Sequence, residues 1–204
     1  MLGLLSDLEP LGLPSAKGTQ IFMFHMLIGI DYSITCPCLC LFDERKEFNF
    51  NNCFFYYLTH TKKFADKILP NITGEGFQDY IADVDRFDTI SQWAVNLCLG
   101  ASEAAIEGYS YNSSGRVFHL AENCGILKYK LYKAGIPVTV IEPSKAKKLA
   151  TGKGNADKAA MYKAFCLETN TDLVWTFNQK SLTNPVTDIV DSYYILKSLL
   201  ATKV

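Results

Sequence analysis

From position 26 onward the apolar residues fall into short blocks set apart by polar, charged or glycine-containing stretches. The run MLIGID (Met26–Asp31) is continuously apolar and ends in an acid, the pattern of a buried strand. CPCLCLF at 36–42 and FNFNNCFFYYL at 48–58 are rich in β-formers, and the charged residues 43–47 between them read as a hairpin turn. Residues 59–83 are polar, contain Pro70, Gly74 and Gly76, and read as a long loop. Helical spacing then runs through Phe87, Ile90, Ala94 and Leu97, with Gly100 as its stop. EAAIE (Glu103–Glu107) predicts another strand. Residues 117–134 read as a helix with Phe118, Ala121, Gly125, Tyr129 and Tyr132 on one face and Gly135 after its end. PVTVI at 137–141 is strand-like, a lysine-rich stretch follows, and helices are predicted over 156–167 and, after Pro185, over 187–200. The order β-β-β-α-β-α-β-α-α predicts an α/β fold, a mixed five-stranded sheet with helices on both faces.

The chain has 204 residues, enough to bury a sizeable core without disulfides. Hydrophobic residues make up 49% and charged residues 20%, which excludes a disordered tail, a collagen-like repeat and a coiled coil. Residues 26–204 read as a single domain. Residues 1–25 read as a loose extension or expression remnant, because Asp7, Glu9, Pro10 and Pro14 interrupt any signal-like run. No stretch approaches the length of a membrane span. Seven cysteines, an odd number in a chain of this size, point to reduced thiols and a cytoplasmic setting. Cys36, Cys38 and Cys40 alternate onto one face of a strand, and with no second pair at zinc-site spacing they read as core thiols.

Four carboxylates occupy informative places. Asp31 ends the first strand and Glu107 the fourth, while Asp188 and Asp191 stand three apart on one face of the last helix. Ligands gather beyond the carboxyl ends of strands in open α/β sheets, so these acids would converge if the last helix begins there. Such a cluster needs divalent cations, and oxygen ligation favours Mg²⁺ or Mn²⁺. Two ions ~3.5–4 Å apart can activate water and steady the leaving oxygen in phosphodiester hydrolysis. The plainer alternative makes Asp31 and Glu107 strand-end charges and Asp188 an acid favoured by the helix dipole.

Residues 144–163 (SKAKKLATGKGNADKAAMYK) hold six lysines against Asp157, a local charge of +5 in a chain of net charge −1. The segment fits either a phosphate-backbone binder or a solvated helix face. Thr151-Gly152-Lys153-Gly154 is not a P-loop, since no Ser or Thr follows the lysine.

Taken together, Gly29-Ile30-Asp31, Ala105-Ile106-Glu107, PSKAKKLATGKGNADK at 143–158 and Asp188-Ile189-Val190-Asp191 resemble the RuvC-type Holliday junction resolvases, in that family's order. The stretch GKGNADK is the most specific part, and the resemblance runs from about Met26 to Leu200. It implies an RNase H-like fold and a structure-selective, Mg²⁺-dependent DNA endonuclease acting on four-way junctions as a homodimer. Mn²⁺ would substitute for Mg²⁺. It further implies Asp31, Glu107, Asp188 and Asp191 as catalytic metal ligands, with Lys158 and Lys147 holding the scissile phosphate. Lys145, Lys148 and Lys153 would contact the DNA backbone. The family often has Pro-Gly after its first Asp, where this chain has Tyr32-Ser33. Three residues after the strand-end Glu, where the family can place an aromatic, it has Ser110, so the flanking Tyr109 and Tyr111 are the stacking candidates. A phage or other viral member fits these departures. Related nucleases acting on flaps, branched intermediates or RNA–DNA hybrids are the neighbouring reading, and a non-catalytic DNA-binding module is the reading from another class.

His119 and Glu122 stand three apart on a helix, and His25 and His60 have no evident partner in the sequence. Phe54, Phe55, Tyr56 and Tyr57 read as core and sheet-face residues rather than a base-stacking platform.

Overall fold

A computed structural model of the chain describes residues 25–108 and 117–203. Most of the segment read as an N-terminal extension, and Tyr109 and Tyr111, lie outside the described residues. The strands are β1 (Met26–Asp31), β2 (Cys38–Asp43), β3 (Cys53–Thr59), β4 (Ile68–Leu69), β5 (Ile72–Gly76), β6 (Glu103–Glu107) and β7 (Val138–Ile141). The helices are α1 (Asp83–Cys98), α2 (Val117–Lys133), α3 (Pro143–Thr151), α4 (Lys158–Thr169), α5 (Leu173–Thr176) and α6 (Val186–Ala201). The strands form one sheet in the order β4-β5-β3-β2-β1-β6-β7. β1 and β3 pair antiparallel with β2, while β5 runs parallel to β3, β6 to β1 and β7 to β6.

The sheet is mixed, as the sequence predicts, but it has seven strands among the described residues rather than five. The two extra strands come from the segment read as a loop. β5 carries Gly74 and Gly76, which mask its strand character, yet Gly74 is there because nothing larger fits. A Cβ at that position would collide with the Tyr57 ring and hydroxyl and lie 2.6 Å from the Phe64 carbonyl oxygen. Tyr57 spends its hydroxyl on that carbonyl, at 2.7 Å, so the ring tip is buried and satisfied. The strand read over 48–58 starts later, because Asn49 accepts a hydrogen bond from the Asn52 backbone N–H and winds Phe50–Asn52 into a 3₁₀ turn. The lysine-rich stretch after β7 is itself helical, as α3.

Alternate residues of β1 serve two cores. Leu27 faces the layer containing α6, with Phe42, Phe55, Tyr57, Ile189 and Tyr193, while Ile28 and Ile30 face the layer of α1 and α2. Burial of these side chains, at roughly 1.5–3 kcal/mol each, holds the layers together. On α2 the buried stripe is Cys124, Leu127 and Leu131, a rotation away from the predicted face. Phe118, Tyr129 and Tyr132 instead point outward and are 81%, 63% and 77% exposed. Phe55 and Tyr57 are core residues and Phe54 is exposed, as strand alternation requires. All seven cysteines are free thiols and six are buried. Among the described residues no helix is long and apolar enough to cross a membrane.

Candidate active site

β1 and β6 are adjacent and parallel, with Ile30 opposite Ile106. Asp31 and Glu107, one residue further along each strand, therefore leave the sheet side by side on the face covered by α6. That helix lies directly on β1. A Cβ at Gly29 would stand 2.6 Å from the Leu196 backbone nitrogen and closer still to the Ser192 carbonyl oxygen. The missing side chain lets the helix backbone press against the strand. α6 runs so that its first turns reach the carboxyl end of β1, bringing Asp188 and Asp191 to Asp31. Ser192 secures the seat: its hydroxyl donates to the Ile189 carbonyl at 2.9 Å, and its Oγ lies 3.4 Å from Cys38 Sγ.

The GKGNADK stretch turns the chain from α3 into α4. Gly152 takes the left-handed conformation that ends α3, and its N–H bonds the Lys148 carbonyl. Gly154 passes close to Ser144, where an added Cβ would be 3.3 Å from the carbonyl oxygen. Ala156 is buried, and Asp157 caps α4 by accepting from the Ala160 N–H at 2.8 Å. Lys158 is then the first residue of α4, and its Nζ lies 3.6 Å from Asp191 Oδ2.

These elements enclose a cleft of about 380 Å³ whose lining includes Asp31, Glu107, Asp188, Asp191, Lys147 and Lys158. Six of the side chains singled out in the sequence are thus brought to one place. Lys145, Lys148 and Lys153 are exposed and do not line it. Ser33, Thr35 and Asn184 also border the cleft, and nothing in their sequence context announces them. Cys36, which the sequence places with the core thiols, lies past the end of β1, its thiol pushed up by burial and then by the neighbouring Asp188. Its backbone N–H bonds the Ser33 Oγ at 2.9 Å, which folds the β1–β2 loop over the cleft.

The electrostatics are those of crowded, buried acids. Asp31 is pushed well above the usual carboxylate range by burial and then by Asp188, Asp191 and Glu107, with Lys158 opposing. Burial raises Asp188 to about 7 against the pull of Lys158, and raises Glu107 to about 7 with help from Asp191. Asp191 is also raised by burial, with Lys158 and Lys147 pulling it back. The acids in turn raise Lys158 against its own desolvation, so it stays cationic.

Among the described residues no group of three or more His, Cys, Asp or Glu side chains is arranged to hold an ion as it stands. The reason is visible in the pairing. Asp188 is engaged by Cys36 and Asp31, and Lys158 supplies the positive charge to Asp191. Yet Asp188 Oδ2 is buried without a hydrogen-bond partner. An orphaned carboxylate oxygen among three other acids is a donor set suited to a hard divalent cation.

No family model matches the chain, and no curated protein matches it in sequence. Solved structures do match. A Thermus thermophilus RuvC structure superposes with a TM-score of 0.53 at 15% identity, covering 85% of this chain and 92% of that one. The T. thermophilus RuvC in complex with a Holliday junction substrate superposes with a TM-score of 0.55 at 14% identity, covering 86% and 92%. The fold of this chain is therefore the RuvC-like fold, within the RNase H-like α/β class.

Proposed function

We propose that the protein is a divalent-metal-dependent endonuclease that nicks branched DNA, with the four-way junction as its substrate. The carrying observation is the cleft itself. Four carboxylates from β1, β6 and α6 meet two lysines from α3 and α4, and one buried carboxylate oxygen lacks a partner. The likeness to a RuvC structure holding a Holliday junction supports the choice of substrate.

Asp31, Glu107, Asp188 and Asp191 would hold the metal, of the Mg²⁺ class, with Mn²⁺ able to replace it. The metal supplies water activation and stabilisation of the leaving oxygen when bound. Lys158 and Lys147 present cationic donors to the scissile phosphate, where negative charge builds in the transition state. The asymmetry between them follows from position. Lys158 Nζ lies 3.6 Å from Asp191, whereas Lys147 lines the cleft from α3 and acts on Glu107 and Asp191 through charge alone. Lys145, Lys148 and Lys153 extend the positive strip outside the cleft, where backbone phosphates pass. Tyr109 and Tyr111 are proposed as stacking residues at the branch. Paired incision of two strands requires two sites, which a two-fold homodimer provides.

The test is direct. Purified protein is incubated with matched four-way junction, flap, linear duplex and RNA–DNA hybrid substrates, with and without Mg²⁺, and the nicks are mapped. Symmetric Mg²⁺-dependent nicks in the junction support the proposal. Preferred cutting of flaps or hybrids reassigns the substrate, and no cutting of any arm with intact binding leaves a DNA-binding module.

A further inference from the structure

β3 and β5 run in the direction of β1, so their carboxyl ends lie at the same end of the sheet as Asp31. His60 follows β3 and Phe77 follows β5, and their rings stack at 4.1 Å with 9° between planes. Arg86, in the first turns of α1, places its guanidinium 5.7 Å from the Phe77 ring centre and 4.9 Å from that of Tyr80. Its Nη2 lies 3.3 Å from His60 Nε2 and donates to the Ile34 carbonyl at 2.6 Å. Its Nε is buried with no hydrogen-bond partner among the described residues. Ile34 lies between Ser33 and Thr35, both of which line the catalytic cleft. The aromatic and cationic cluster is therefore fixed to the rim of the cleft through a single loop.

The cluster is built more elaborately than a core contact, and it is not sealed. His60 is exposed and Tyr80 is 39% exposed. Arg86 also borders an open hollow of about 290 Å³ with Asp83 and His119. Aromatic rings and a guanidinium offer flat faces to another flat ring, by stacking and by cation–π attraction. Asp79, Asp83 and Asp85 nearby in the chain make the locality poor for a phosphate, so the fitting group is an uncharged planar one.

We propose that His60, Phe77, Tyr80 and Arg86 form a stacking platform that receives one unstacked nucleobase of the DNA strand running through the cleft. This rests on the nuclease reading above. A fully paired duplex has no free base to give the platform, whereas a branch point or single-stranded flank does, so the platform adds selectivity for interrupted helices.

The experiment uses junctions with 5-iododeoxyuridine at successive positions around the branch, irradiated in complex with the full-length protein. One position cross-links to the peptide containing Phe77 and Tyr80 or to that containing His60. In a His60→Ala/Tyr80→Ala double variant the cross-link is lost and junction affinity falls roughly tenfold or more, while linear duplex binds as before. Tyr80→Phe, which keeps the ring, retains both properties. Unchanged junction affinity in the double variant, or an equal loss for duplex and junction, overturns the platform and leaves junction binding by the wild type standing. Failure of the wild-type protein to bind any branched DNA overturns the platform together with the reading on which it rests.

Discussion

Gly29 meets the backbone of Ser192 where β1 passes beneath α6, and the two leave no volume between them for even a methyl group. The contact decides more than packing. It sets how near the first turns of α6, with Asp188 and Asp191, come to Asp31 at the end of the same strand.

Gly29→Ala therefore has to lift the helix or shift the strand. The obstructing atoms belong to helix backbone, which cannot swing aside as a flexible side chain would. Overpacking of this kind costs about 1–3 kcal/mol, or roughly 2–12 °C in melting temperature for a chain of this length. Incision should fall by a larger factor than that destabilisation explains, because the acids separate. A thermal melt beside a junction-nicking assay checks both.

The sequence displays β1, β6 and α6 plainly because each is a near-continuous apolar run with its acid at the end or in the first turns. What it hides is held by tertiary contacts. β5 reads as loop because Gly74 yields its side-chain volume to Tyr57, a partner seventeen residues earlier in the chain. The periodicity points to the wrong face of α2 because aromatic residues count as apolar in any such pattern, yet Phe118, Tyr129 and Tyr132 lie on its outer side. Among the residues lining the cleft, the four acids are legible from order and spacing, and Lys147 and Lys158 from the resemblance carried by the lysine-rich GKGNADK segment. The positions of Cys36 and of Arg86 at the rim of the cleft are not legible, since each depends on a loop whose course only the folded sheet defines.

Metal-free protein should lose stability as pH rises from about 4 to about 7. Glu107 and Asp188 are both pushed up to about 7 by burial, and Asp31 and Asp191 are raised as well. An acid whose folded pKa exceeds its unfolded value binds its proton more tightly in the native state. Its contribution is complete below the unfolded pKa, near 4, and fades through the folded one. The melting temperature should drop by roughly 5 °C or more between pH 5 and pH 8, and Mg²⁺ should restore it chiefly at pH 8. A flat profile in the presence of a chelator would contradict the pKa ordering.

Lysines inside and outside the cleft should separate in kinetics. Lys158→Ala removes the cation 3.6 Å from Asp191 and should lower turnover about 100-fold or more with little change in junction affinity. Lys145→Ala or Lys148→Ala, on exposed positions of α3, should weaken binding and reduce the salt-dependence slope by about one each. Single-turnover rates and titrations at several salt concentrations distinguish the two effects. Similar behaviour in all three variants would remove the distinct role of Lys158.

Calcium should support junction binding and little incision. It takes more ligands in a looser geometry than Mg²⁺ and so places water and phosphate less tightly. Equal nicking rates in the two metals would count against metal-assisted hydrolysis at these carboxylates.

Asp188 and Asp191 should separate a metal-binding role from a structural one. Asp188→Asn and Asp191→Asn each remove one charge from the cluster and nearly preserve side-chain size. If the four acids hold the metal, incision should fall by orders of magnitude with either change. DNA binding should persist or tighten, because a carboxylate facing the phosphate has been neutralised. The metal-free Asp188→Asn protein should also melt at a higher temperature than wild type at pH 8, since burial, with Asp191 adding to it, disfavours that charge more than Lys158 supports it. Its pH–stability profile should flatten in the same measurement. A merely structural acid in the first turn of α6 behaves in the opposite way: its loss removes a favourable dipole interaction of about 0.3–1 kcal/mol and leaves incision intact. Nicking assays, junction titrations and melts on the same preparations separate these outcomes, and full activity in a slightly destabilised Asp188→Asn protein would remove Asp188 from the catalytic site.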